Sequence, residues 1–220
     1  MFMLFTAIES IFYQYICVIF FCIIFQIFMV KKEHKNGNRY SLKHFIWVYI
    51  FYIYLMLVFL CTGIGNIHEF TFYIGINEPI NNLTQFNLIP FGPTSGGIIT
   101  HIANIIMFMP LGFLLPLIWD KFKSSKKVVY TGFLFSLAIE LSQLLNLRDT
   151  DIDDLIMNTI GTLLGWLLFY LLAKLPKNKR EKQIDNLERT KLSYLAGHEA
   201  YFYLILSFVG VFLLYNPFLF

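Results

Sequence analysis

Six apolar runs divide the chain, at roughly 11–30, 44–62, 98–119, 128–147, 154–175 and 200–215, and the polar connections between them alternate in kind. A bilayer's hydrocarbon core is crossed by about 20 helical residues, and most of these runs have that length. The connections 31–43, 121–127 and 174–191 hold five, four and seven Lys or Arg, together sixteen of the seventeen in the chain. The intervening connections, 64–97 and the turn at 148–154, hold only Arg148. Basic connections stay on the cytoplasmic side of a membrane. The pattern therefore predicts an all-α polytopic helix bundle of about six transmembrane helices with both termini outside. No Lys or Arg precedes the first run, so it reads as a retained helix, not a cleaved leader. Residues 64–97 carry Gly75, Pro79, Pro90, Gly92, Pro93, Gly96 and Gly97, and read as a structured extracytoplasmic loop whose NLIPFGP stretch dips toward the bilayer.

Composition sharpens this picture. Of 220 residues, 57% are hydrophobic and 14% charged, and mean hydropathy is +0.63. Soluble chains carry about 25% charge, so the expected location is the cytoplasmic (cell) membrane, with the lipid bilayer as the first partner. No basic tract beyond these connections points to nucleic acid. Cys17, Cys22 and Cys61 all fall inside apolar runs without metal or disulfide spacing. No cofactor or metal motif is present, and the oligomeric state is open.

The candidate chemistry follows from the topology. The third span enters from outside with His101 and Asn104 on one face, being i and i+3. The fourth leaves outward, placing Glu140 about 10 Å below its outer end at 1.5 Å per residue, with Gln143 on the same face. The fifth enters with Asp154, Asn158, Gly161 and Gly165 on one stripe. Three helices thus bring carboxylate, amide and imidazole groups to the outer leaflet, below a loop positioned to cap them. An ionisable residue inside a membrane marks a candidate functional site. Each piece also has a simpler reading. Glu140 can pair structurally with Arg148, Asp151 and Asp153 suit a helix N-terminus, and Gly161-x3-Gly165 suits close helix packing. His101 alone fits a satisfied polar residue. Asp149, Asp151 and Asp153 resemble the opening of a calcium loop, but Asp154 and Ile160 stand where such a loop needs Gly and Glu.

The motifs, taken in order, resemble those of the VanZ-like family of bacterial membrane proteins. They are Asn87-Leu88-Ile89-Pro90-Phe91, then Asn104, Phe108, Pro110, Leu111 and Gly112, then Glu140 and Gln143, then Arg148, Asp151, Asp154, Asn158 and Gly161. The resemblance covers roughly Phe86 to Leu172. It divides the chain into two N-terminal spans and the start of the loop (1–85), a VanZ-like core of loop and three spans (86–172), and a basic cytoplasmic connection with a final span (173–220). It implies a helical membrane domain and, through the family's namesake, a link to teicoplanin resistance, a phenotype and not a reaction.

Two classes of function follow. The first is an accessory factor at the outer face, in glycopeptide resistance or cell-envelope maintenance. Its cluster of Asn87, Pro90, Phe91, His101, Asn104, Glu140, Gln143, Arg148, Asp151, Asp154 and Asn158 would meet a lipid-linked cell-wall precursor or a lipoglycopeptide. The second is a membrane-embedded enzyme using Glu140 and Asp154 as acid and base on an outer-leaflet lipid-linked substrate. Ser–His–Asp, HExxH and P-loop patterns are missing. A transporter is a third class, but no repeat or pair of broken helices is visible. The topology is testable directly. With the native cysteines removed, Asn82→Cys and Asp149→Cys are expected to react with an impermeant thiol reagent in intact cells, and Asn36→Cys and Asn178→Cys are not. Labelling of Asn178→Cys from outside would invert the arrangement.

Overall fold

The computed structural model describes residues 2–75, 86–87, 89–92, 96–146, 150–173 and 195–219. Leu88, Arg148, Asp149 and the basic connection 174–191 lie outside the described residues. The elements are α1 (Phe2–Lys35), α2 (Leu42–Thr62), α3 (Ile67–Gly75), β1 (Phe86–Asn87), α4 (Ile98–Ile118), α5 (Ser125–Gln143), β2 (Thr150–Asp151), α6 (Ile152–Ala173) and α7 (Glu199–Leu214), with short 3-10 turns at Asp120–Lys123, Ala196–His198 and Pro217–Leu219. Among the described residues five segments are long and apolar enough to cross a membrane: Glu9–Lys35, Leu42–Phe72, Ile98–Ile118, Ile152–Ala173 and Ala196–Leu214. This is a multi-pass membrane protein with an all-α bundle.

The fourth expected span, α5, is less apolar than the other five. Its 19 residues reach about 28 Å as helix, close to the ~30 Å of a hydrocarbon core. It begins at Ser125, carries Lys126 and Lys127 in its first turn, and buries Thr131, Ser136, Glu140, Ser142 and Gln143. Its polar stripe is turned into the bundle, where neighbouring helices supply partners that lipid cannot.

Helices α4 and α6 form the tightest pair. A Cβ added at Gly112 would stand 1.9 Å from the Thr162 carbonyl oxygen. One added at Gly161 would stand 2.3 Å from that of Ile105, and at Gly165 1.9 Å from that of Met109. The glycines of both helices thus let backbone lie on backbone. α4 continues through Pro110 and Pro116 without a break. A second pair, α1 and α7, meets at Gly210 against the Cys17 carbonyl and through Phe25 stacked on Phe202 at 4.7 Å. α2 lies between the pairs, with Phe51, Tyr52, Leu55 and Phe59 fully enclosed. Tyr54 of α2 donates its hydroxyl to the Met107 carbonyl of α4 at 3.1 Å.

The helices segregate polar groups to two ends. One end carries the described basic residues 31–43 and 121–127. There a buried carboxylate, Glu199, accepts from Trp119 Nε1 at 2.9 Å and Tyr203 Oη at 2.7 Å, with His44 Nε2 at 3.0 Å. This knot ties α2, the end of α4 and α7 together. The other end carries the carboxylates of α5 and α6.

The stretch 64–97 holds more regular structure than its Gly and Pro content predicts, since α3 lies within it. Asn66 Oδ1 accepts from the amides of His68 and Glu69 at 3.0 Å, and Glu69 Oε2 accepts from Asn66 N at 3.2 Å. This reciprocal cap satisfies the first free amides of the helix. A test of the packing is Gly165→Ala. The added methyl must displace backbone, so the thermal midpoint in detergent is expected to fall by the equivalent of about 1–3 kcal/mol or more. Gly197→Ala, which meets nothing within 4 Å, is the matched control and should leave it unchanged. Equal midpoints would refute the backbone contact.

Candidate functional site

Asp153 is the side chain around which the acidic end is built. It sits in the first turn of α6 and is 0% exposed. A buried carboxylate needs donors, and Asp153 takes them from a loop sixty residues away. Its Oδ1 and Oδ2 accept from the Phe91 amide at 3.0 and 3.2 Å. His101 Nε2 of α4 lies 3.7 Å from Oδ2. The His101 ring also meets the Phe91 ring edge-on at 5.8 Å. Phe91 has φ 54°, in the left-handed region. A non-glycine residue holds that conformation only when its surroundings fix it. Here the fixing bond is the one to Asp153, while Gly92 N bonds back to Ile89 O at 3.1 Å and closes the turn.

The same loop is tied down a second way. β1 and β2 pair in parallel, Phe86 with Thr150 and Asn87 with Asp151. Asn87 Nδ2 donates to Asp151 Oδ1 at 3.3 Å, and that oxygen also accepts from Asp153 N at 2.9 Å. The Asp151 amide donates to Glu140 Oε2 at 3.2 Å. Glu140, 4% exposed, thus reaches from α5 to hold the strand that precedes α6. Asp154, half-buried, accepts from Asn104 Nδ2 of α4.

The expected residues divide into three groups in space. Asn87, Phe91, His101, Asn104, Glu140, Asp151 and Asp154 converge at one end of α4, α5 and α6. Pro90 lies exposed in the same turn. Gln143 points away from this group, donating Nε2 to the Thr62 carbonyl of α2 at 2.8 Å. Asn158 lies one turn deeper along α6. Its Nδ2 donates to Ser136 Oγ of α5 at 2.9 Å, and its Oδ1 is buried with no hydrogen-bond partner. Arg148 falls outside the described residues, and with it the expected pairing to Glu140. Asp153 is the residue that motif reading passed over. Its signal was its place at the opening of a helix, one position before Asp154, on the face turned toward α4. Among the described residues no three His, Cys, Asp or Glu side chains are arranged to hold a metal ion.

Burial sorts the carboxylates by what they can do. Glu140 and Asp153 are enclosed: Asp153 holds the loop through the Phe91 amide, and Glu140 holds β2 through the Asp151 amide. Asp151 and Asp154 are half-buried and remain reachable. Beside them the loop presents Ile89 and Phe91, two exposed apolar side chains.

The chain belongs to the VanZ/LLP1 family, whose model matches residues 11–173. The match takes in α1 and α2 as well as the loop and α4 to α6. Protein VanZ of Enterococcus faecium is 33% identical over 102 residues, which is 46% of this chain and 60% of that protein. The chain therefore spans about 60% of the length of the curated relative it matches. No solved structure matches.

Substituting Asp153 isolates the loop anchor. Asp153→Ala is expected to speed amide exchange at residues 89–92 and to lower the unfolding midpoint, since an unsatisfied amide and a lost charge-assisted bond together cost about 2–5 kcal/mol. Asp153→Asn keeps an acceptor oxygen and should lose less. Unchanged exchange at Phe91 in Asp153→Ala would show that the strand pairing alone holds the loop.

Proposed function

We propose that this VanZ-family protein acts at the outer face of the cytoplasmic membrane as an accessory factor in teicoplanin resistance or cell-envelope maintenance. Its acidic end engages a lipid-linked cell-wall precursor or the lipoglycopeptide itself. The observation that carries the reading is the loop pinned over the carboxylates. Asp153 fixes its backbone at Phe91 and Glu140 fixes the strand it pairs with, leaving Asp151 and Asp154 half-buried and Ile89 and Phe91 exposed. Polar recognition beside exposed apolar groups suits a ligand with both a headgroup and an acyl chain. The basic residues 31–43 and 121–127 at the opposite end support an outer location for the acidic end, by the positive-inside rule.

Teicoplanin has an acyl chain and vancomycin lacks one. Each methylene buried in the leaflet contributes about 0.8 kcal/mol, so a protein working at that leaflet changes how the chain or its precursor target is presented. The peptide terminus that both drugs bind is left alone.

A second reading is favoured by the placement of Glu140 and Asp154, two carboxylates from facing helices on either side of β2. They would serve as acid and base on an outer-leaflet lipid-linked substrate. Purified protein incubated with a lipid-linked precursor distinguishes the two. Binding without a change in precursor mass supports the accessory role, and a new product supports the enzyme.

Expressed in a susceptible Gram-positive host, the protein is expected to raise tolerance to teicoplanin several-fold and to vancomycin little. Glu140→Gln keeps an acceptor for the Asp151 amide and removes the charge. Together with Asp154→Asn and Asn158→Leu, it should return tolerance to that of the host while the protein still accumulates in the membrane. Equal tolerance to both drugs would indicate a general envelope change. No tolerance with the protein present would exclude resistance.

A further inference from the structure

Helices α5 and α7 run side by side without packing tightly; α5 rests on α6, and α7 on α1. Between them lies a slot of about 220 Å³. α5 supplies Thr131, Leu134, Phe135 and Ala138 to one wall, and α7 supplies the face from Tyr201 to Val209 to the other. Both helices start at the basic end, and at 1.5 Å per residue each wall runs about 10–12 Å from there into the bundle. The lining is apolar. The Thr131 hydroxyl donates to the Lys127 carbonyl at 2.8 Å and is spent there. Leu134 and Ile205 are exposed at the rim, so the slot opens toward lipid.

Unfilled space forfeits dispersion contacts on its walls, and inside a bilayer the filler at hand is an acyl chain. Filling alone selects no lipid, because other tails solvate a chain as well as the slot does. Selection must come from the headgroup, and the mouth at the basic end supplies it. Lys127 precedes Thr131, Leu134, Phe135 and Ala138 at the spacing of one helix face. From the other wall, Lys121 Nζ lies over the Tyr201 ring, 5.3 Å from its centroid, within cation–π reach. That ring packs on Phe122 at 5.1 Å, which holds the ammonium at the end of the slot. Desolvation and the nearby Lys127 charge lower the Lys121 pKa from its ordinary value. An anion between the two lysines would relieve their repulsion. Among the described residues neither has a carboxylate partner, while Asp120 pairs with Lys123.

We propose that this slot binds an anionic phospholipid, with one acyl chain between α5 and α7 and the phosphate between Lys121 and Lys127. The ammonium groups only donate hydrogen bonds, and a phosphodiester only accepts them. Phosphatidylethanolamine carries the same phosphate with an ammonium of its own, which repels the lysines and makes it the control. The site lies at the opposite end from the α6 carboxylates and does not rest on the function proposed above.

The full chain in mild detergent is offered phosphatidylglycerol and phosphatidylethanolamine of matched chains, and retained lipid is read by native mass spectrometry. One phosphatidylglycerol is expected to be retained in preference. The preference should fall about fivefold in Lys121→Gln and about fivefold in Lys127→Gln, the worth of one basic residue at a membrane surface. Lys126→Gln removes the same charge one position round the helix and should change it little. Ala138→Phe fills the deep end of the slot and should lower retention with both lysines in place. The lysine variants alter side chains outside the core and keep the unfolding midpoint, so the test stands even where Ala138→Phe folds poorly. Equal retention of both lipids overturns the proposal by leaving unselective lipid in the slot. An equal loss in Lys126→Gln and Lys121→Gln overturns it by showing a general surface attraction. A lipid-free dimer that Ala138→Phe dissociates overturns it as well, by making the slot a contact between copies.

Discussion

Lipid tails compete with side chains for apolar contact on equal terms, so helices within a bilayer are held by fit and by polar bonds, with little hydrophobic drive between them. The approach of α4 to α6 is the closest fit among the described helices. Gly112 admits the Thr162 carbonyl, and Gly161 and Gly165 admit those of Ile105 and Met109. Because these three contacts fix both the separation and the register of the pair, they also decide what stands opposite what at its end. Asn104 comes level with Asp154, and His101 with Asp153. A slide of one residue along either helix would move 1.5 Å, enough to leave Asp153 enclosed without its partners. The glycines therefore serve the acidic end as much as the bundle.

The acidic end in turn gives the loop its shape. Parallel pairing over two residues is too short to persist alone, and the αL conformation of Phe91 is unfavourable by itself. Asp153 stabilises the second through two contacts to one amide, while Glu140 and Asn87 bracket the first through Asp151. Local strain is here offset by buried charge, and buried charge is satisfied by the strained backbone. Neither survives without the other.

Much of this was legible in the sequence. Apolar run length predicted the helices, and the two described basic connections, residues 31–43 and 121–127, lie at one end with Glu140 and Asp154 at the other. The i, i+3 and i, i+4 spacings put His101 with Asn104 and Gly161 with Gly165 on the faces they occupy. Other features were hidden for physical reasons. Gln143 shares a face with Glu140 by spacing, yet a helix face subtends enough arc to meet two neighbours, and Gln143 meets α2. α3 was masked by the Gly and Pro around it, although Asn66-x2-Glu69 is a helix-start signal in its own right. Asp153 was read as a dipole partner because a sequence does not tell which of four adjacent acids faces inward. The Glu199 knot draws on His44, Trp119 and Tyr203, residues 155, 80 and 4 positions away in the chain, and no local pattern encodes so long a reach.

The two ends differ in how their buried carboxylates are satisfied. At the basic end Glu199 has donors from three side chains, so its charge is spent within the protein. At the acidic end the donors among the described residues include backbone amides, the side-chain amides of Asn87 and Asn104 and the His101 ring, already set against Asp151, Asp153, Asp154 and Glu140. Acceptors outnumber them: Asn158 Oδ1, Gln14 Oε1 and Asn146 Oδ1 are all enclosed and unpartnered, and Asp151 and Asp154 remain half-open. An excess of acceptors in a region this poor in Lys and Arg is a standing electrostatic and hydrogen-bonding asymmetry. A ligand meeting the half-buried Asp151 and Asp154 must bring hydrogen-bond donors or positive charge, and do so beside lipid. Amine- and hydroxyl-bearing headgroups on an acyl anchor meet both demands, whereas bare anions meet neither.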